Sequence, residues 1–152
     1  MLRLSRYLTW CASVAIVAAC SGSEPSPAST DNAAPPAAPS ATTGEQTPDP
    51  GGTVITVKLM TDDKGNNRFD PADVAAKTGD VVRYTLESGV HNVHFVADSN
   101  VAGAALPSAS ELLQLPGQTY DVKVSMAPGR YYFQCDPHAL LGMIGHLTVA
   151  AR

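Results

Sequence analysis

Cysteine is scarce in this chain: three in 152 residues, at positions 11, 20 and 135. That is too few for a disulfide framework. Charge is sparse as well, with 10 Lys and Arg against 14 Asp and Glu and a formal net charge of −4, so the basic stripe that a nucleic-acid partner requires is missing. The apolar run from Leu8 to Ala19 falls short of the ~20 residues a membrane-spanning helix needs. It follows Arg3 and Arg6 and reads as an export signal. There is no internal repeat and no second domain boundary, so one globular domain with added segments is expected.

The export signal ends in Val17-Ala18-Ala19-Cys20. This resembles the lipobox of bacterial lipoproteins, which implies cleavage before Cys20 and lipid on its sulfur. Residues 1–19 are then signal peptide. Ser21 to Gly52 is rich in Pro, Ala, Ser, Thr and Gly and nearly devoid of large apolar side chains, so it cannot bury enough surface to offset its ordering entropy. Residues 20–52 are predicted to be a lipidated, disordered tether whose reach, at ~3.1 Å per residue, is on the order of 100 Å. With Cys11 removed and Cys20 lipidated, Cys135 is the one thiol left to the folded part. In an oxidising exported compartment a lone thiol is a liability unless it is buried or bound to a metal.

From residue 53 to 152 the pattern changes to short alternating runs punctuated by turn residues, which predicts an all-β sandwich or barrel. Ile55, Val57 and Leu59 share one face; Val82, Tyr84 and Leu86 another; Tyr120, Val122 and Val124 a third. Pro71 is confined to an edge or bulge. One short helical excursion is expected over Ser108 to Leu113, capped by Ser108 or Ser110 and ended by Pro116-Gly117.

Gln134-Cys135-Asp136-Pro137-His138-Ala139-Leu140-Leu141-Gly142-Met143 places a thiol, an imidazole and a thioether in one short loop. Tyr131, Phe133 and Cys135 share an inward face by strand parity. The same parity turns His91 inward with Val93 and Phe95, and turns Asn92 and His94 outward. His146 is likewise outward of Leu147 and Val149. His91, Cys135, His138 and Met143 are therefore the candidate metal ligands. Pro137 stiffens the return of the loop, and Gly142 is expected to permit close backbone approach beside Met143. A thiolate, two imidazoles and a weak thioether suit copper, whereas structural zinc sites close their tetrahedron with a further thiolate or imidazole.

These residues resemble the cupredoxins, and more narrowly plastocyanin and its bacterial relatives. The likeness runs from Thr53 to about Ala150 and includes Phe69-Asp70-Pro71, Gly79-Asp80-Val81-Val82, His91-Asn92-Val93, Leu115-Pro116-Gly117 and the Cys-x-x-His-x-x-x-x-Met spacing. The resemblance implies a cupredoxin-like Greek-key β-sandwich with one type 1 copper ion at one end, held by His91, Cys135, His138 and Met143. It implies that Asn92 ties the two ligand-bearing loops together. It also implies an apolar docking patch around His138, for which Ala139, Leu140 and Leu141 are the local candidates. Gln134 stands where photosynthetic plastocyanins carry an aromatic, and the acids near Asp98 and Glu111 are scattered rather than clustered. With the lipid anchor and tether, this points to a monomeric carrier in the bacterial envelope, exchanging single electrons with a redox donor and acceptor such as a cytochrome, oxidase or reductase.

Two other classes compete. A periplasmic copper chaperone or buffer would share the ligands and lack the redox partner; a Met-rich site would favour it, and only Met143 of the four methionines lies in a motif. A copper enzyme needs a further copper site for substrate, which one domain with one complete ligand set does not offer.

Overall fold

A strand with alternating polarity can bury one face only, so seven such strands close against one another as two sheets. The computed structural model describes residues 44–152 and forms β1 (Val54–Thr61), β2 (Asn67–Asp70), β3 (Asp73–Lys77), β4 (Val81–Leu86), β5 (Thr119–Lys123), β6 (Gly129–Gln134) and β7 (Ile144–Ala150). The sheets run β2-β1-β4-β5 and β3-β7-β6. β1 is parallel to β4 and β3 to β7, while the other neighbours are antiparallel. The export signal, Cys11, Cys20 and most of the tether lie outside the described residues.

The residues expected inward do line the core. Val57, Leu59, Phe69, Tyr84, Leu86 and Val122 of one sheet share a buried cluster with Val74, Tyr131, Phe133, Leu147 and Val149 of the other. Phe133 is its hub, with ring centroids 4.9 Å from Phe69, 5.4 Å from Tyr84 and 5.3 Å from Phe95. Burying a ring of this kind is worth ~2–3 kcal/mol, and it fixes β6 two residues ahead of Cys135. Pro71 follows the edge strand β2, where its missing N–H interrupts no ladder.

Two expectations are corrected. Ser108 to Leu113 is not helical: Leu113 pairs with His91 in an isolated bridge, and the Ser110 hydroxyl accepts the Val93 N–H at 2.9 Å instead of capping a turn. The short helical turns fall elsewhere, at Ala97–Ser99 and Asp136–Leu141. The tether also ends earlier than composition suggests. Gln46 donates its backbone N–H to Asp121 Oδ2 (2.8 Å) and its side-chain amide to the Asp121 carbonyl (2.9 Å), so it covers the edge strand β5. Asp121 is itself clasped by Arg83 at 2.9 and 2.8 Å.

The C-terminal ends of β1 and β6 meet the connection after β4 at one pole, where Thr61, His91 and Cys135 are linked in succession. At the opposite pole Asp80 accepts the Thr53 N–H (2.9 Å) and the Lys77 N–H (2.8 Å), joining the approach to β1, the end of β3 and the start of β4. The chain's last residue lies there too, Arg152 donating to the Pro50 carbonyl.

Candidate metal centre

β6 delivers Cys135 fully buried at its end, and a 3₁₀ turn over Asp136–Leu141 starts at once with Pro137 near its beginning. Residues three apart in a 3₁₀ helix eclipse one another. The Cys-x-x-His spacing therefore sets His138 over Cys135, with the His138 N–H on the Cys135 carbonyl (3.0 Å) and His138 Nδ1 3.4 Å from the sulfur. Gly142 ends the turn at φ 89°. Added bulk there would meet nothing within 4 Å, so it is this left-handed backbone, and not a close approach, that calls for glycine. Met143 then folds back, donating to the His138 carbonyl (3.1 Å) while its own carbonyl accepts the Cys135 N–H (3.1 Å). It is fully buried.

His91 arrives from the β4–β5 connection, pinned by two backbone hydrogen bonds to Leu113 at 3.1 and 2.8 Å. Its Nδ1 stands 3.1 Å from His138 Nδ1 and 3.7 Å from Cys135 Sγ, and all three donors lie within 4.8 Å of one another. Donors bound at ~2.0–2.3 Å to one ion stand about 3–4 Å apart, which is the spacing seen. The buried His91 nitrogen, the half-buried His138 nitrogen and the buried sulfur face one another and leave lone pairs that a soft cation would satisfy. The donor set fits copper.

Electrostatics agree with that reading. Burial holds the His91 imidazole below the ordinary histidine range, the nearby His138 adds to this, and the Ser88 backbone opposes it. That direction favours the neutral imidazole, the form that can ligate a metal. Burial pushes the Cys135 thiol up, backbone N–H groups of Asn92 and His138 pull it down, and the Asp136 carboxylate raises it further. A bound cation replaces that thiol proton.

Asn92, outward by parity, is buried instead, because the segment from His91 to Phe95 makes only isolated bridges and no continuous strand. Its amide donates to Asp136 Oδ2 (2.8 Å) and its carbonyl oxygen accepts the Asp136 N–H (2.8 Å), a two-way clasp between the His91 loop and the Cys135 turn. His94 and His146 lie outside the donor triangle, as expected: His94 Nδ1 meets Asp136 Oδ1 at 2.9 Å and His146 Nδ1 meets Asp73 at 3.6 Å. Sequence reasoning missed Asp136 as the shared partner of Asn92, His94 and Gln134. It also missed Thr61, whose hydroxyl is 3.1 Å from His91 Nε2. Thr61 shares strand parity with Val57 and Leu59, so a polar residue on an inward face was the signal. Of the apolar patch, Leu140 and Leu141 stand exposed beside half-buried His138 and Ala139.

A two-sheet β-sandwich gathering two imidazoles and a thiol at one pole defines the cupredoxin class of copper proteins. Within that class, the chain belongs to the plastocyanin/azurin family of copper binding proteins, whose family model matches residues 55–150. It is similar to the chloroplastic plastocyanin of Oryza sativa subsp. indica, 35% identical over 102 residues that cover 65% of this chain and 66% of that one. The chain thus spans just under two thirds of the rice protein. It is also similar to the plastocyanin of Scenedesmus fuscus, 37% identical over 98 residues, 62% of this chain and 98% of that one. Among solved structures it resembles the oxidized form of plastocyanin from Dryopteris crassirhizoma, with a TM-score of 0.54, 34% identity, and coverage of 63% of this chain and 100% of that one.

Proposed function

We propose that the domain is a type 1 copper electron carrier, not an enzyme, in which His91, Cys135 and His138 would be the strong ligands and Met143 a weak fourth one. One observation carries the reading: His91, Cys135 and Met143 are fully buried, whereas His138 alone is half-exposed, flanked by the exposed Leu140 and Leu141. Copper supplies the one-electron couple. The chain supplies the rest: the 3₁₀ turn and the Asn92–Asp136 clasp hold the donors in one geometry, the core excludes water from the sulfur, and the His138 edge offers the short route to the surface. The apolar rim suits transient docking of redox donor and acceptor proteins. The reading extends to export, lipidation at Cys20 and a monomer tethered in the bacterial envelope.

The test is a visible spectrum of the metal-free protein titrated with Cu(II), followed by voltammetry. Intense blue colour and a reversible one-electron wave are expected, and colour without a reversible wave would favour a copper buffer. Cys135→Ser replaces the thiolate with a hard hydroxyl and should abolish the blue band. A variant that stays intensely blue would refute the assignment.

A further inference from the structure

The donor triangle uses only one nitrogen of His91. The other, Nε2, points away from the metal pocket toward the last residue of β1, with Thr61 Oγ1 3.1 Å away. A threonine hydroxyl has a single proton to give. Here it goes to Asn67 Oδ1, 2.7 Å off, at the first residue of β2. With its proton so committed, the Thr61 oxygen can only accept, which leaves His91 Nε2 as the donor. A neutral imidazole that carries its proton on Nε2 presents a lone pair at Nδ1, the atom turned toward His138 and Cys135.

This contact is built, not incidental. Thr61 is held from both sides by Ser88, whose hydroxyl accepts the Thr61 N–H at 3.0 Å and donates to the Thr61 carbonyl at 2.8 Å. Next to it Gly89 has φ +87°, and a Cβ there would fall 2.2 Å from Thr61 Oγ1 and 2.7 Å from His91 Nε2. Any larger residue at 89 would push apart the two atoms that meet. Three separate pieces of chain, the end of β1, the start of β2 and the loop after β4, thus converge on the outer nitrogen of one ligand.

We infer that Thr61, oriented by Asn67, is a positioning residue for the metal centre: it accepts the His91 Nε2–H, fixes the tautomer and ring orientation, and makes Nδ1 a stronger donor. The inference rests on His91 being a metal ligand. Outer partners of ligating histidines raise ligand basicity, and their loss typically costs about 10–100-fold in metal affinity. A more basic nitrogen stabilises Cu(II) more than Cu(I), so loss of the acceptor should raise the reduction potential.

The test compares Thr61→Val, which keeps the branched shape and loses the acceptor, with Thr61→Ser, which keeps the acceptor. In metal-free wild type, nitrogen-15 NMR of the histidines should show His91 protonated at Nε2, with that proton shifted downfield by its hydrogen bond. Thr61→Val should move the Nε2 proton upfield, weaken Cu(II) binding by about tenfold and raise the potential, while Thr61→Ser stays near wild type in all three. A wild-type His91 protonated at Nδ1 overturns the inference. So does a Thr61→Val protein whose Nε2 signal, Cu(II) affinity and potential match wild type. The NMR measurement needs no metal, so a protein that fails to turn blue would sink the carrier assignment while the hydrogen bond is still read independently.

Discussion

Met143 is the ligand candidate whose role is least dictated by its position, since its backbone is tied to Cys135 and His138 and its side chain is simply buried. A long axial thioether tunes the potential more than it holds the ion. Met143→Leu should therefore keep copper and blue colour but raise the potential, and Met143→Gln, bringing a harder oxygen, should lower it. For one electron ~59 mV is a tenfold change in equilibrium constant, well within reach of voltammetry on the copper-loaded variants. Equal potentials in both would reduce Met143 to packing. Cys135 was legible from the sequence because two independent arguments met on it, the arithmetic of thiols and the parity of Tyr131 and Phe133. Thr61 was not. A threonine carries no metal chemistry of its own, and its importance exists only once β1, β2 and the His91 loop have been folded together.

At the scale of elements, strand parity was reliable where a ladder enforces it and failed where none does. It placed Phe133 and Leu147 correctly because β6 and β7 pair directly. It misplaced Asn92 because residues 91–95 are held by two isolated bridges and by Asp136. The segment from Ser108 to Leu113 carried local helix signals, and long-range partners outweighed them: His91 takes Leu113 and Val93 takes Ser110. Asp80 organises the other pole. Hydrogen bonds from the Lys77 and Thr53 backbones hold its carboxyl below the usual range. A depressed folded value contributes stability above the unfolded carboxylate range, lost as pH falls through that lower value. Asp80→Ala should cost ~1–3 kcal/mol at pH 7 for two orphaned N–H groups, and its deficit against wild type should shrink as pH drops below ~4. Urea unfolding across a pH series measures both. A deficit that persists undiminished in acid would mean the carboxylate charge is not what matters.

For the molecule as a whole, the folded body begins before β1. Gln46 meets an Asp121 whose side chain is wholly buried, and Glu45 reaches Arg83 at 3.1 Å from a largely exposed position. The exposed pair is worth little, but the Gln46 bonds satisfy an edge strand that would otherwise face water. A chain beginning at Thr53 should be less stable in urea than one beginning at Gly44 by ~1–3 kcal/mol, with the copper spectrum unchanged; equal midpoints would show that residues 45–52 merely rest on the sheet. The meeting of Arg152 with Pro50 at the pole away from the histidines has a practical side. A molecule fastened to a gold surface through a tag after Arg152 would stand with its leucine-rimmed imidazole facing the solution. Direct exchange with the metal beneath it would then be sluggish and a dissolved mediator would react freely, whereas attachment through the Leu141 side would reverse both.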